Sequence, residues 1–245
     1  MDPIFAAIIC AAGASSRMGG VKKEYRCLND AAGGSPGNPL TVLGAAVTAF
    51  ASVPGISYIV ITVPPDPEQG EFAARKALPP HLTAQNSSPK LLFVPGGLSR
   101  RESVHHALSL LAAYPVSHVL IHDGARPWVS RDLICRTMET VIQYRAVVPL
   151  VPLIETPKET DSAGFVIRHP KRSSMGTAQT PQGFAFPDIL RAHEGAAERE
   201  ISEGIEYTDD AEVWGEFIGK VASIPGESGN RKITFPQDLP EKEQL

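Results

Sequence analysis

The chain has 245 residues, a hydrophobic content of 42% and a formal net charge of −4 at pH 7. This length and composition are sufficient for a full core in one large α/β domain or two small ones, and they exclude a disordered chain. General nucleic-acid-binding proteins carry a basic face, and the slight acidic excess argues against one here. We therefore expect no nucleic-acid partner.

The cysteines and the N-terminus indicate where the protein works. Cys10, Cys27 and Cys135 are widely spaced and form no CxxC pair, a pattern typical of reduced thiols in the cytoplasm. The N-terminal apolar run is not preceded by a basic segment, so we expect no signal peptide. No apolar stretch reaches the roughly 20 residues that a membrane span needs. These features predict a cytoplasmic protein with no membrane partner.

Short apolar runs alternate with segments of helical periodicity from the N-terminus to residue 151. The apolar runs predict strands over 4–10, 58–63, 91–94, 118–122 and 146–151. The segments between them predict helices over 40–51, 67–78, 100–113 and 131–144. Strands that alternate with helices indicate a mostly parallel sheet with helices on both faces. Ligands of such sheets bind at the carboxyl ends of the strands, so the loops after the strands are the candidate site.

Two segments carry neither a strand pattern nor a helix pattern. The stretch at 29–39 is rich in Gly, Pro and Asn and is predicted as a surface loop. The sequence between residues 152 and 182 is polar. It predicts a hairpin arm that leaves the sheet at about 152–177. The turn of this hairpin is expected near 161–164, and the VIR sequence that follows is expected as its return strand.

The last part of the chain returns to helical patterns at 187–197 and 208–218. Within the second pattern, Asp209 stands three residues before a glutamate, which is the spacing of a helix-capping box. A final strand is expected at 220–224. Since neither a repeat nor a second domain is evident, we expect a single catalytic domain over 1–245.

The first strand leads directly into the sequence AAGASSRMGGVKK at residues 11–23. This is not a P-loop, because the Lys-Ser/Thr pair is missing, and it is not a GxGxxG loop. One interpretation is an ordinary strand-to-helix turn with solvated lysines. The other is a cradle for a triphosphate, in which Gly13 and its neighbours offer backbone N–H groups while Arg17 and Lys23 supply charge-assisted hydrogen bonds.

Two further loops after strands carry candidate ligands. In GGLSRRESV, at residues 96–104, two arginines lie at the start of a helix, where cations oppose the helix dipole, so a purely structural role is disfavoured. In HDGARP, Asp123 ends a strand, where a carboxylate can hold Mg²⁺ on a nucleotide phosphate. A metal-dependent phosphohydrolase with His122, His105 and His106 as ligands is a rival hypothesis. We expect His122 to be a packed histidine instead, because its side chain should face away from that of Asp123.

The arm and the last loop add further cations. The arm carries Lys158, Arg168, Lys171 and Arg172, which are either solvated or placed to cover the site of a neighbouring subunit. Lys232 follows the final strand in the sequence NRKITFPQDL, where it can point back toward the same cleft.

Eight short sequences, in this order, resemble the polyol-phosphate cytidylyltransferase family, and most closely its 2-C-methyl-D-erythritol 4-phosphate branch. They are AAGASSRMG, KKEY, GGLSRRESV, HDGARP, ETPK, AQTPQGF, YTDDA and NRKITFPQDL. The resemblance implies an α/β, Rossmann-like fold of the nucleotide-diphospho-sugar transferase type, with a β-arm that makes a homodimer. It also implies that CTP and a polyol phosphate are the substrates, that Mg²⁺ is the cation, and that CMP is transferred with release of pyrophosphate in the non-mevalonate isoprenoid pathway.

This chemistry agrees with the residue types at the strand ends. The acceptor phosphate attacks the α-phosphorus of CTP, so no protein nucleophile is needed. Catalysis then depends on positioning the substrates and on neutralising the charge that develops at phosphorus. Glycines, cations and a carboxylate meet these needs without a Ser-His-Asp set.

The resemblance implies three groups of site residues in this chain. The residues that would stabilise the reacting phosphorus and the departing pyrophosphate are Arg17, Lys23 and Lys232, of which the last would also hold the polyol phosphate. The residues that would bind the nucleotide are Ala11, Ala12, Gly13, Gly97, Ser103 and Asp123, of which the last would also hold Mg²⁺. The residues that would bind the polyol phosphate are Arg126, Thr156, Arg172 and Thr180, with Arg172 reaching the partner subunit's substrate.

The first loop departs from the family pattern. Ser15, Lys22 and Glu24 stand where Gly, Pro and Gln are usual, so the loop lacks the rigidity that the proline gives. Leu98 stands where some members have a polar residue near the base, and we assign it no contact.

Three other functions compete with transfer to methylerythritol phosphate. A ribitol 5-phosphate cytidylyltransferase would share the CTP loop, and one sequence does not separate the two acceptors. The metal-dependent phosphohydrolase would act without CTP. A nucleotide-binding regulator without activity is disfavoured, because Arg17, Lys23, Asp123 and Lys232 are all retained.

Overall fold

The computed structural model of the chain describes residues 2–15, 18–20, 22–28, 40–66, 68–84 and 87–239. Arg17 and the predicted surface loop at 29–39 lie outside these residues, so what the sequence predicts for them stays a prediction. In the described part of the chain, no helix combines the length and the apolar composition required to cross a membrane.

Within the described residues, eight strands form one mixed sheet and two more form the hairpin of the arm. The sheet strands are β1 Phe5–Cys10, β2 Ile56–Val63, β3 Lys90–Pro95, β4 His118–Asp123, β5 Ala146–Pro152, β8 Gly176–Ala178, β9 Gln182–Ala185 and β10 Ala222–Pro225. The arm strands are β6 Glu159–Thr160 and β7 Val166–Arg168. The strands predicted before residue 152, the VIR return strand and the last strand are all confirmed, with small shifts at their ends.

The strand order is β10-β5-β9-β4-β1-β2-β3, and β8 pairs with β5. The strands β1 to β4 run parallel, as do β5 and β10, whereas β9 runs antiparallel between β4 and β5. The mostly parallel sheet is therefore confirmed, with antiparallel strands β8 and β9 that the sequence pattern did not predict. The register aligns Cys10 with both Thr62 and Asp123, so β1, β2 and β4 end at the same level.

Six α-helices in the described residues cover both faces of the sheet. They are α1 Val42–Ala51, α2 Glu71–Lys76, α3 Arg100–Leu111, α4 Arg131–Tyr144, α5 Asp188–Glu203 and α6 Asp210–Phe217. Residues of α1 and α4 pack against one face, and residues of α3, α5 and α6 pack against the other. Because successive strand residues point to opposite faces, β1 gives Ile9 to the first core and Ile8 to the second. A sheet covered in this way requires strands that are apolar on both faces.

Local hydrogen bonds set the ends of two helices. Helix α2 begins at residue 71, later than predicted, because the Asp66 carboxylate accepts hydrogen bonds from the N–H groups of Glu68 and Gln69 at 2.7 and 2.9 Å and holds a turn ahead of the helix. Asp209 caps α6, because its Oδ1 accepts a hydrogen bond from the Glu212 N–H at 2.8 Å. The cap that was predicted for this helix is therefore confirmed.

The arm contains the predicted hairpin. Strands β6 and β7 pair antiparallel, and the Asp161 carboxylate closes the turn by accepting hydrogen bonds from the N–H groups of Ala163 and Phe165 at 3.0 and 2.9 Å. Gly164 has a φ of 89°, in the region that favours glycine. Phe165 and Ile167 are 72% and 60% exposed, so the hairpin presents apolar side chains to solvent.

Candidate active site

Two adjoining cavities open where the parallel strands end. The larger one, here called the large cleft, has a volume of about 510 Å³ and lies between the first loop, the turn after β3 and the end of β4. The smaller one, here called the side pocket, has a volume of about 250 Å³ and lies between the end of β4 and the segment that leads into β9. Arg100, Asp123 and Lys232 line both cavities and form the wall between them.

Most of the predicted site residues meet at these two cavities. The predicted residues that line the large cleft are Ala12, Gly13, Lys23, Gly97, Ser103, Asp123 and Lys232. Those that line the side pocket are Asp123, Arg126, Thr180 and Lys232. Ala11 lies behind the wall of the cleft instead, because it is fully buried and its N–H donates to the Thr62 hydroxyl at 3.1 Å.

Polar contacts hold the described part of the first loop. The Lys22 ammonium donates a hydrogen bond to the Gly13 carbonyl oxygen and lies 3.6 Å from the Glu24 carboxylate. The same carboxylate accepts a hydrogen bond from the Ser15 hydroxyl at 3.3 Å. Burial lowers the pKa of Lys22, and the neighbouring Glu24 opposes that effect. Lys23, which follows Lys22 directly, is 9% exposed and lines the cleft.

The turn after β3 is fixed by the first residues of α3. The Ser103 hydroxyl accepts a hydrogen bond from the Gly97 N–H at 3.0 Å and donates one to the Ser99 carbonyl oxygen at 2.9 Å. The backbone of this turn lies so close to the first loop that a Cβ at Gly96 would approach the Cβ of Ala12 within 2.2 Å. Glycine is therefore required at residue 96 for the two loops to form one cleft.

Asp123 lies in the shared wall and is surrounded by cations. Its Oδ2 is 3.0 Å from the Lys232 ammonium and 3.3 Å from the Arg126 Nε, and its Oδ1 is 3.5 Å from the Arg100 Nε. Burial alone would raise the pKa of this carboxyl, but the cations Lys232, Arg100 and Arg126 outweigh it and hold the pKa well below its usual range. The neighbouring cations therefore favour the ionised form of Asp123.

A buried hydrogen-bond network holds the two sides of the side pocket together. The side-chain amide of Asn230 donates to the Thr180 carbonyl oxygen at 2.8 Å. The backbone carbonyl oxygen of Asn230 accepts a hydrogen bond from the Arg126 guanidinium at 2.7 Å. The Thr180 hydroxyl accepts a hydrogen bond from the Asp123 N–H at 3.1 Å. Asn230 is fully buried two residues before Lys232, so the network also fixes the loop that carries this lysine.

His122 packs in the core, as the sequence predicted. It is fully buried, its Nε2 lies 3.1 Å from the Arg126 carbonyl oxygen, and its Nδ1 lies 3.1 Å from the Thr180 hydroxyl. Burial lowers the pKa of His122 to about 4. Nowhere in the described residues do three or more His, Cys, Asp or Glu side chains cluster closely enough to hold a metal ion. The ligand set that the phosphohydrolase hypothesis requires is thus not assembled there.

Two predicted substrate ligands lie on the arm. Thr156 is exposed, and neither it nor Arg172 lines the large cleft or the side pocket. The Arg172 guanidinium donates a hydrogen bond to the Ile154 carbonyl oxygen at 2.6 Å, within the arm itself. Their predicted contact with a polyol phosphate stays a prediction, and for Arg172 it requires a second subunit.

Sequence reasoning did not assign a role to Arg100. The one signal for such a role in the sequence was that two arginines stand at the start of α3, where cations oppose the helix dipole. The structure shows why a cation is tolerated at residue 100, since the carboxylates of Asp123 and Asp210 lie 3.5 and 2.8 Å from its guanidinium. Gln179 also lines the side pocket, and its side-chain amide donates to the Glu227 carbonyl oxygen at 2.8 Å. Gln179 and Asn230 were both missed, because their roles depend on contacts across the fold.

The chain is similar to known proteins over nearly its whole length. The family described as "IspD: 2-C-methyl-D-erythritol 4-phosphate cytidylyltransferase" matches residues 5–245. A protein of Bradyrhizobium sp. named "Bifunctional enzyme IspD/IspF" is 36% identical over 240 residues, which are 97% of this chain and 55% of that protein. The "2-C-methyl-D-erythritol 4-phosphate cytidylyltransferase" of Streptomyces avermitilis is 34% identical over 242 residues, which are 96% of this chain and 88% of that protein.

A solved structure shares the fold. The 4-diphosphocytidyl-2C-methyl-D-erythritol synthase of Anaerococcus prevotii matches with a TM-score of 0.77 at 25% identity, over 97% of this chain and 93% of that one. The chain spans about half the length of the bifunctional relatives that it matches. Because the family match runs through nearly all of the sequence, the chain belongs to the 2-C-methyl-D-erythritol 4-phosphate cytidylyltransferase family.

Proposed function

We propose that the protein transfers CMP from CTP to 2-C-methyl-D-erythritol 4-phosphate, giving 4-diphosphocytidyl-2-C-methyl-D-erythritol and pyrophosphate in the non-mevalonate isoprenoid pathway. The observation that carries this proposal is the shared wall between two cavities, where cations surround Asp123. The large cleft takes CTP and the side pocket takes the acceptor, so the two reacting groups meet at Lys232 and Asp123. Family membership supports the choice of substrates.

The proposed reaction is a single displacement at the α-phosphorus of CTP. An oxygen of the acceptor phosphate forms a bond to that phosphorus while the bond to pyrophosphate breaks. Lys23 and Lys232 neutralise the negative charge that develops, and Arg17 joins them in the proposal. Cys10 also lines the cleft, but burial raises the pKa of its thiol to about 12, so it stays protonated and does not compete as a nucleophile.

The turn after β3 suits recognition of the cytosine base. The Ser103 hydroxyl already accepts one hydrogen bond and donates one, and its second lone pair can accept a hydrogen bond from an amino group. Gly97 has no side chain, so the base can approach its backbone. We assign the base to this turn, and the ribose to Asp123 together with the backbone of Ala12 and Gly13.

Mg²⁺ is the proposed divalent cation, and the Asp123 carboxylate fits it. In nucleotide sites Mg²⁺ usually binds one or two carboxylates together with substrate phosphates and water. The Asp123 Oδ2 is close to Lys232 and Arg126. The nearest cation to Oδ1 is the Arg100 guanidinium at 3.5 Å, so Oδ1 is the oxygen that we propose as the ligand of the metal ion. Bound there, Mg²⁺ would neutralise charge on the nucleotide phosphates.

We further propose that the protein works as a cytoplasmic homodimer formed through the arm. The apolar side chains of Ile154, Phe165 and Ile167 are 83%, 72% and 60% exposed, and such a patch is expected to be covered by a partner. A second subunit placed on the arm would bring Arg172 to the substrate phosphate of its neighbour. Cys27 is an exposed free thiol, as expected in a reducing compartment.

The test of the proposed function is pyrophosphate release from CTP with methylerythritol 4-phosphate and ribitol 5-phosphate run side by side. Each acceptor is measured with Mg²⁺, and again after chelation with EDTA. We expect pyrophosphate release when methylerythritol 4-phosphate and Mg²⁺ are both present, and none with ribitol 5-phosphate or after EDTA. Release with ribitol 5-phosphate alone would keep the transfer mechanism and change the acceptor, and release with neither acceptor would reject the proposal.

A further inference from the structure

A buried charged cluster lies behind the large cleft and takes no part in the chemistry proposed above. Asp210, the first residue of α6, is 1% exposed, and its Oδ2 forms an ion pair with the Arg100 Nη1 at 2.8 Å. Its Oδ1 lies 3.3 Å from the Nε2 of His193, which is fully buried. Ionised groups are costly to bury, and packing alone does not require them here.

Arg100 connects this cluster with the active site. Its Nε lies 3.5 Å from the Asp123 Oδ1, and its side chain lines both the large cleft and the side pocket. Asp210 lines neither cavity, and its ion pair with Arg100 connects its carboxylate with both of them. A guanidinium can bridge two carboxylates because its N–H groups are spread over a rigid fork.

Arg100 differs from the other two cations at Asp123 in what else it binds. Lys232 and Arg126 are the proposed ligands of substrate phosphates, so an incoming phosphate draws them away from the Asp123 carboxylate. Arg100 has a buried protein carboxylate as its second partner and therefore stays in place when substrates enter. It is the cation that can keep Asp123 ionised and oriented throughout the reaction.

We propose that Arg100 and Asp210 are positioning residues that hold the Asp123 carboxylate in the orientation that binds CTP. The proposal rests on the function proposed above and adds two residues to it. Removing the pair should weaken the binding of CTP with Mg²⁺, because Asp123 is then free to turn toward Lys232 and Arg126. The KM of the acceptor should change less, since those two cations remain at the side pocket.

The competing explanation is that the cluster only ties helices together. A neighbouring ion pair provides a matched control, because Arg101 on α3 is 8% exposed and its Nε lies 2.6 Å from the carboxylate of Glu200 on α5. Arg101 is adjacent to Arg100 in sequence, yet neither Arg101 nor Glu200 lines a cavity of the active site. Loss of this control pair removes a tie between helices and leaves Asp123 with its cations.

The experiment compares two double variants, Arg100→Met with Asp210→Asn and Arg101→Met with Glu200→Gln. Each removes both charges of its pair, so that neither variant leaves a buried charge without a partner. Binding of CTP with Mg²⁺ is measured by calorimetry below the unfolding temperature of each protein, and KM is measured for both substrates. The single variant Arg100→Lys is added, because it keeps the charge but loses the rigid fork whose separated N–H groups reach the two carboxylates.

We expect the first double variant and Arg100→Lys to bind CTP about tenfold more weakly than the wild type. Losses of this size are typical when a residue that orients a metal-binding side chain is removed. The affinity of the Arg101 and Glu200 double variant for CTP should stay within about twofold of that of the wild type. Equal losses in the two double variants, or wild-type binding by Arg100→Lys, would overturn the proposal. If the wild type itself binds no CTP, the proposed function fails and this inference fails with it.

Discussion

Asp123 brings together contributions from distant parts of the chain. The sequence predicted it as a metal ligand at a strand end and predicted Lys232 and Arg126 as separate phosphate ligands. The structure adds that both cations contact the Asp123 Oδ2, at 3.0 and 3.3 Å. The free protein thus holds both proposed phosphate ligands around one carboxylate.

Lys23→Ala and Asp123→Ala should each reduce turnover by about 10² to 10³, because Lys23 is the proposed cation at the reacting phosphates and Asp123 is the proposed ligand of Mg²⁺. Both residues line the large cleft, so the fold should persist. Steady-state pyrophosphate release and circular dichroism measure the two effects. Lys220→Ala, at an exposed lysine outside both cavities, is the control. Turnover near that of the control in either variant would remove the residue from the site.

His122 should make the stability of the protein depend on pH. Burial lowers its pKa to about 4 from 6.5, so between these values the unfolded chain binds a proton here and the folded protein does not. The free energy of unfolding should therefore fall as the pH is lowered from 6.5 toward 4, by about 3 kcal/mol in total at 1.36 kcal/mol per unit.

Urea unfolding at several pH values between 7 and 4 measures this contribution. His122→Gln keeps a donor for the Arg126 carbonyl oxygen and cannot titrate, so its stability should depend less steeply on pH. A pH dependence identical to that of the wild type would show that His122 is not the group responsible.

At the scale of elements, a buried ion pair holds the first loop, which lacks the proline that is usual in the family. The side chains of Lys22 and Glu24 are 9% and 5% exposed, and the Lys22 ammonium is bound to the Gly13 carbonyl oxygen. Ser15, which stands where glycine is usual, has a φ of 51° and is held by hydrogen bonds to the same carboxylate and from the Lys23 N–H. These contacts hold the described residues of the loop without proline.

Lys22→Met should raise the KM for CTP about fivefold to tenfold and leave the KM for the acceptor unchanged, because the Gly13 carbonyl oxygen loses its donor and the Glu24 carboxylate loses its neighbouring cation. Adding Glu24→Gln should restore part of the loss, since no buried charge is then left unpaired. Lys76→Met, at an exposed lysine on α2, is the control. If Lys22→Met has the kinetics of this control, the ion pair does not shape the loop.

Strands β8 and β9 show where sequence patterns stop being informative. The strands β1, β2 and β4 are continuous apolar runs, and they were predicted because a sheet covered on both faces requires such runs. Gln182–Ala185 has four residues and includes a glutamine and a glycine. Its strand conformation depends on pairing with both β4 and β5, which no local pattern reveals. Asn230 was missed for the same reason, because its partner at Thr180 is far away in sequence.

At the scale of the whole molecule, the arm should determine the oligomeric state. Phe165→Ser with Ile167→Ser removes two exposed apolar side chains from the hairpin, so the proposed dimer should dissociate while each subunit stays folded. Sedimentation or light scattering measures the mass of both proteins. Ile201→Ser on α5 is the control, because Ile201 is 88% exposed and lies outside the arm. A monomeric wild type, or a dimer that survives the double substitution, would contradict dimerisation through the arm.

The overall arrangement has two cavities on either side of one charged wall, and each is the proposed site of one substrate. Strand ends, loop glycines and the order of the motifs allowed the large cleft to be predicted from sequence. The side pocket was predicted less completely, since it forms where β9 and the loop that carries Lys232 meet the end of β4. The central claim is that CMP passes directly across the wall from one cavity to the other.

A single-turnover experiment with CTP labelled by ³²P at the α-phosphorus tests this claim most directly. The enzyme is mixed in excess with labelled CTP, methylerythritol 4-phosphate and Mg²⁺, and the products are separated at short times. We predict that the label moves from CTP into the cytidyl diphosphate product, with no labelled protein and no labelled CMP at any time. Label on the protein, release of labelled CMP, or no transfer at all would contradict direct transfer between the two cavities.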